Sequence, residues 1–295
     1  MEVLLTFLVL VSFSAILAQD LNRPINLIDT FLKRAKRETR KSEKACAEYG
    51  PGLQRKIFFS NYVQPGGDYQ HDVALGYPKD NEIEYGLCSG VLISEDYVLT
   101  VAHCVASTRG PPSMIRAGTI DLLGEEDRVE PQDIQISKII KHPDYDLLKK
   151  INDIALVNLA EPANFTKYVQ PACLYTKAEI PVSMTATGWG RILLTDNKFS
   201  DLLLKSPVLA VNMESCNETY GRAKQQLHDS QFCGTTSTDL CYTGSGSSAF
   251  ITKGNDSRAT IVGLTSYGRG CGSTIPNVYT KISSYLDWIE SIVWP

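Results

Sequence analysis

The sequence predicts an all-β protein closed by a short C-terminal helix. Three observations carry this reading. Short apolar runs recur along the chain: Val91-Leu92-Ile93, Tyr97 to Val101, Ile134 to Ile140, Ile154 to Leu159, Val208 to Val211, Thr260 to Tyr267 and Asn277 to Ile282. They are rich in β-branched residues and bounded by Gly, Pro, Asn or Asp, the composition of strands between turns. Their number points to barrels. At the end the period changes: Leu286, Ile289 and Ile292 recur at helical spacing behind Ser284, a residue able to cap a helix.

At 295 residues and 43% apolar, the chain can bury a full core, as one large domain or two packed halves. It opens on an apolar run, Val3 to Leu17, broken by Thr6, Ser12 and Ser14 and closed by the small residues Ala15 and Ala18. Residues 1–18 therefore read as a secretory signal peptide cleaved after Ala18, although Glu2 is acidic and no Lys or Arg precedes the run. The run is short for a bilayer span and no second one follows, which argues against an integral membrane protein. A formal charge of -4 leaves no footprint for nucleic acid or an anionic membrane.

Residues 19–56 are polar and carry the basic run Lys33, Arg34, Lys36, Arg37, Arg40, Lys41 and Lys44. A solvated segment is favoured there over a heparin or membrane patch. Asn26 to Leu32 allows a short amphipathic turn. The eight cysteines fit an oxidising compartment. No CxxC pair occurs, so zinc is the weaker reading of them. The acidic loop from Asp121 to Asp127 suits either calcium or plain solvation, the latter favoured, and no metal or cofactor is assigned. Asn164, Asn217 and Asn255 each begin an Asn-x-Ser/Thr sequon.

Three stretches combine residues of nucleophilic catalysis: Leu99-Thr100-Val101-Ala102-His103-Cys104, Asn152-Asp153-Ile154-Ala155-Leu156, and Asp239-Leu-Cys-Tyr-Thr-Gly-Ser245-Gly-Ser-Ser-Ala-Phe250. A neutral imidazole can take a hydroxyl proton and return it to a leaving amine. A buried carboxylate fixes the tautomer of that imidazole and stabilises its charged form. In this order the stretches resemble the histidine, aspartate and serine signatures of the chymotrypsin-like (trypsin-type) serine proteases. The layout, with Ser42 to Cys46 upstream, is similar to the insect snake-like haemolymph proteases.

The resemblance covers about Ile57 to Trp294 and implies two six-stranded antiparallel β-barrels with a C-terminal helix. Residues 57–295 would form the protease domain and residues 19–56 a disulfide-tethered pro-segment, the whole a monomer. His103, Asp153 and Ser245 would be the triad, with Thr243 and Ser245 lending the N–H groups of the oxyanion hole. Asp239, Ser266, Gly268 and Asn277 would bind substrate, Asp239 pairing with Lys or Arg and Ser266 to Gly268 pairing with the substrate backbone. Cleavage between Lys56 and Ile57 would activate a zymogen. The implied disulfides are Cys88–Cys104, Cys216–Cys233, Cys241–Cys271 and Cys46–Cys173, and the implied partners are protein substrates or cascade proteases.

The departures from the family pattern are concentrated. The family usually writes its serine signature Asp-x-Cys-x-Gly-Asp-Ser-Gly-Gly-Pro. An ungapped alignment puts Thr243, Gly244, Ser247 and Ser248 on Gly, Asp, Gly and Pro. A one-residue shift would instead put Gly246 on the nucleophile, as in many noncatalytic homologues; the ungapped register is preferred because it keeps Ala249-Phe250 aligned. Phe59 and Ser60 stand where two glycines normally free the new N-terminus. Gly244 removes the carboxylate that the new ammonium would meet, and losing one member of a buried pair costs about 3–5 kcal/mol. Thr243 puts a β-branched side chain at an oxyanion position, where one lost donor costs roughly 2.7–4 kcal/mol. Asn277 replaces a glycine that leaves room for a long cationic side chain. Two expectations follow: a secreted serine endopeptidase, or a noncatalytic homologue that binds as a cofactor or decoy.

Overall fold

The computed structural model describes residues 39–49, 69–124, 131–190, 200–222, 225–236, 244–253, 256–268 and 275–295. Outside these residues lie the apolar run Val3 to Leu17, Asn26 to Leu32, Lys56, Ile57, Asp239, Cys241, Thr243, Asn255, Cys271 and residues 125–127 of the acidic loop. The chain divides into two units, Met1–Arg40 and Lys41–Pro295, and every element named below lies in the second.

Strands β1 (Asp72–Lys79), β3 (Ser89–Leu92), β4 (Tyr97–Thr100), β7 (Ala155–Leu159), β6 (Gln132–Lys141) and β5 (Met114–Ala117) are hydrogen-bonded in that order. A further β1–β5 pairing closes them into a six-stranded barrel, with β2 (Glu82–Glu84) hanging from β1 as a hairpin. The second barrel runs β12 (Ser248–Lys253), β9 (Ser183–Gly188), β10 (Leu204–Val211), β11 (Gln231–Thr236), β14 (Asn277–Lys281) and β13 (Asp256–Tyr267). It closes by β12–β13, and the short β8 (Cys173–Leu174) adds to β13 in parallel. Among the described strands closure leaves no long unpaired edge, which is how chains with many short strands avoid edge-to-edge association.

Each of the seven apolar runs contains a strand, with Ile93, Val101, Ile154 and Ile282 lying one residue outside the strand ends. Ile134 to Ile140 does not alternate strictly because a bulge between Ile136 and Lys138 shifts the register against β7. One hydrophobic cluster crosses both barrels: Val73, Leu75, Val91, Ile93 and Leu99 of the first meet Phe250, Ile261, Leu264 and Ile282 of the second. At about 1.5–3 kcal/mol for each fully buried large aliphatic or aromatic side chain, this cluster is the main force holding the barrels together.

Three helical details differ from the expectation. The C-terminal helix (Leu286–Val293) is preceded by a 3₁₀ turn at Ile282–Ser284, so Ser284 lies inside the turn and the helix has no side-chain cap. Its Leu286 and Ile289 are buried as the spacing predicts, while Ile292 is half-buried. A helix at Met213–Gly221, capped by Asn212 accepting from the N–H of Glu214, and another at Lys41–Glu48 carry no apolar stripe that would reveal them. They are numbered below, in chain order, α1 (Lys41–Glu48), α2 (Ala102–Val105), α3 (Met213–Gly221) and α4 (Leu286–Val293).

Helix α1 is too short to persist alone; tertiary contacts hold it. Ser42 donates from N and Oγ to Glu290 Oε1 at 3.2 and 2.6 Å, Thr176 Oγ1 donates to Glu43 at 2.7 Å, and Cys46 is bonded to Cys173. Residues 42–46 are thus docked, while Lys41 and Lys44 remain exposed. Disulfides Cys88–Cys104 and Cys216–Cys233 form as the resemblance implies.

Candidate active site

The site is assembled where the barrels meet. Strand β4 ends at Thr100 and the chain turns at Val101 into α2, which carries His103 half-exposed at the surface. The Cys88–Cys104 disulfide fixes this turn to the strand that follows Cys88.

Asp153 sits just before β7 and is 3% exposed. The approach to it is tightly made: Lys150 and Asn152 have positive φ of 54° and 53°. Asn152 donates from Nδ2 to Asp144 O at 2.8 Å and accepts from the Tyr285 hydroxyl at 3.0 Å. Asp153 Oδ1 accepts the backbone N–H of His103 at 2.9 Å, and Oδ2 lies 2.8 Å from His103 Nδ1. A carboxylate so placed keeps the proton on Nδ1, leaving Nε2 as the basic nitrogen.

Ser266, read from sequence only as a wall for substrate, has a further contact. Its Oγ donates to Asp153 Oδ2 at 2.5 Å from β13. Thr280 Oγ1 adds a bond to Asp153 O at 2.8 Å. The two carboxylate oxygens thus accept three bonds, from residues 50 and 113 positions away in the chain. Sequence reasoning missed this role; a buried serine on an apolar strand carries no local signal for it.

Ser245 is half-buried and bridges Cys88 as a parallel pair, its carbonyl accepting from Ser89 N at 2.9 Å. Gly246 N donates to Thr265 O at 2.9 Å. Gly246 has φ +78°, and a Cβ there would lie 2.2 Å from Ser89 O, so this position excludes a side chain and Ser245 beside it bears one. Among the described residues no hydrogen bond joins His103 to Ser245 Oγ; such bonds often tighten only with substrate.

Gly244 matters most among the departures. It has φ +88°, and a Cβ on it would lie 2.3 Å from the backbone oxygen of Trp189. Trp189 is fully buried against Leu203 and Leu122, so that oxygen has little room to retreat. Glycine is therefore required by this backbone, beyond being the residue that lacks a carboxylate.

Asn277 opens β14 opposite Gly234 and is 8% exposed, and Gly268 follows β13 half-buried. Ser266 and Asp153 are brought together with His103, whereas Asp239, Thr243, Lys56 and Ile57 lie outside the described residues. Cys88, His103 and Cys104 are close enough to suggest a metal, but both sulfurs are spent in a disulfide and offer no thiolate.

Two closed antiparallel barrels, with a histidine and a buried aspartate meeting at their junction near a serine turn, define a chymotrypsin-like serine-protease fold. The Trypsin family model matches residues 59–289, and the chain belongs to that family. It is related to insect clip and snake-like proteases. It is 36% identical over 243 residues to Serine protease snk of Drosophila melanogaster, covering 77% of this chain and 55% of that protein. Serine protease Hayan, also of Drosophila melanogaster, is 34% identical across 78% of this chain and 38% of its own length. Phenoloxidase-activating factor 3 of Holotrichia diomphalia is 35% identical across 77% and 70%. The chain thus spans about half the length of the snk protein and less of Hayan. The crystal structure of the Drosophila Grass clip serine protease of the Toll pathway superposes with TM-score 0.69 at 28% identity, covering 82% of this chain and 74% of that one.

Proposed function

We propose that this chain is a secreted serine endopeptidase made as a zymogen, with His103, Asp153 and Ser245 as its triad. The observation that carries the reading is the three-bond cradle around Asp153, which fixes His103 with Nε2 free to act as base. In the proposed reaction Ser245 Oγ attacks the scissile carbonyl as Nε2 takes its proton. The leaving amine then receives that proton, and water releases the acyl group by the same route. Asp239 would select Lys or Arg, with Asn277 narrowing the pocket, and Ser245 would provide one oxyanion N–H beside that of Thr243. The partners would be protein substrates or other proteases of an extracellular cascade; phenoloxidase-activating factor 3 and the Grass protease of the Toll pathway are relatives whose names point that way. Among the described residues no helix is long and apolar enough to cross a membrane.

A second reading is favoured by the backbone at Gly244, which leaves an ammonium at Ile57 without its carboxylate. On that reading the chain keeps the fold for binding, as a cofactor or decoy. Covalent labelling by a fluorophosphonate after cleavage at Lys56 separates the two. Labelling that disappears in Ser245→Ala supports the endopeptidase; labelling no stronger than in that variant would overturn it.

A further inference from the structure

The junction of the barrels holds a second buried polar cluster, which the triad chemistry does not use. Asp72 opens β1 in the first barrel and is 2% exposed. Thr187 on β9 and Ser248 on β12 are cross-strand neighbours in the second barrel, both fully buried. Thr187 Oγ1 donates to Asp72 Oδ2 at 2.7 Å, and Ser248 Oγ donates to Oδ1 at 3.3 Å. The two hydroxyl oxygens are 3.3 Å apart. His71 Nε2 lies 3.3 Å from Ser248 Oγ and 3.8 Å from Asp72 Oδ1, its ring set edge-on to Phe250.

Burying a carboxylate is costly, and an apolar contact would serve stability as well or better. Burial pushes the Asp72 carboxyl above its ordinary range, opposed by the charge of His71 and by the Thr187 and Ser248 hydroxyls. What the cluster does supply is a directed tie between the barrels. Ser248 lies three residues beyond Ser245, and Thr187 lies two residues before Trp189, whose oxygen packs against Gly244. One carboxylate on the first barrel therefore holds β12, which begins at the end of the turn bearing Ser245, and β9, the strand paired with it. The departures agree with this: Ser248 replaces a proline, which could offer no hydroxyl, in the same segment where Gly244 replaces the latch carboxylate.

We propose that Asp72 is a positioning residue that fixes the 244–248 turn through Ser248 and Thr187, in place of the ion pair Gly244 cannot make. The turn is then set by the fold itself and does not wait for cleavage at Lys56. The inference rests on the reading of Ser245 as nucleophile for its catalytic consequence alone.

Hydrogen exchange of the amides in residues 244–250, in the full chain before and after cleavage, tests the tie whether or not Ser245 reacts. Wild type should show rates within about twofold across cleavage, and Asp72→Ala or Ser248→Ala should raise them roughly tenfold or more while β4 and β7 stay protected. Combining the two substitutions should add little, because they break one connection. His71 is the titratable group shown facing Asp72 among the described residues. Unchanged exchange in the Ala variants, equal loosening of β4 and β7, or a tenfold tightening of the wild-type turn on cleavage would overturn the proposal. Fluorophosphonate labelling of the same samples reports on the endopeptidase reading separately: a wild type that never labels refutes that reading, while the exchange data still decide the role of Asp72. If Asp72→Ala does not fold, Ser248→Ala carries the same test.

Discussion

Placing a side chain at Gly244 tests the central feature of the site. The backbone there has φ +88°, and an added Cβ would lie 2.3 Å from Trp189 O, a backbone atom that cannot rotate away. Forcing a residue other than glycine into such a conformation costs about 1–3 kcal/mol, and relieving the overlap in a packed interior costs roughly 1–3 kcal/mol more. Gly244→Ala should therefore lose about 2–6 kcal/mol. For a unit of this size that corresponds to a fall in Tm of roughly 4–24 °C by scanning calorimetry. Gly244→Asp restores the carboxylate of the family pattern, and pattern alone would expect it to restore activation. The geometry expects the opposite: a comparable fall in Tm, and no gain in fluorophosphonate labelling after cleavage at Lys56. A Tm within about 1 °C of wild type, or an aspartate variant that labels faster on cleavage, would refute the reasoning from this turn.

Three further outcomes follow from individual contacts. Ser266→Ala removes the 2.5 Å bond to Asp153 and leaves a buried carboxylate oxygen short of a donor; at about 1–3 kcal/mol, labelling of Ser245 should slow roughly 10- to 100-fold, and a change under about twofold would count against the cradle. Cys46→Ser opens the tether between residues 127 apart, which should lower stability by about 2–5 kcal/mol. After cleavage at Lys56, a non-reducing gel should then show two chains where wild type shows one. His142, packed against Tyr285 and Trp288 and accepting from Asp144 N at 3.2 Å, has its pKa lowered by desolvation. A depressed histidine pKa stabilises the fold above the ordinary histidine range, and that contribution is lost as pH falls through the folded value. Urea midpoints should therefore drop between about pH 7 and pH 5, and His142→Gln should drop less.

The sequence by itself determined the architecture and named the candidate components of the site. Apolar runs between turn residues marked strands because a closed barrel needs many short, buried, β-branched segments. Leu286 and Ile289 marked the last helix because one face of it is buried. His103, Asp153 and Ser245 were legible because the signatures around them are local, and the Cys88–Cys104 and Cys216–Cys233 pairings followed from the same resemblance. Tertiary structure alone decided the rest. Helix α1 is polar and short; beyond the Cys46–Cys173 pairing that the resemblance implied, its docking shows only in tertiary contacts with Glu290, Thr176 and Arg258. The bond from Ser266 to Asp153 and the cluster of Asp72, Thr187 and Ser248 join residues more than 60 positions apart, and no local pattern marks such contacts. Gly244 shows the division most clearly. In sequence it reads as a missing carboxylate; in the fold it is the residue that the backbone of Trp189 leaves room for, because a positive φ and a close approach of two chains admit only a hydrogen there.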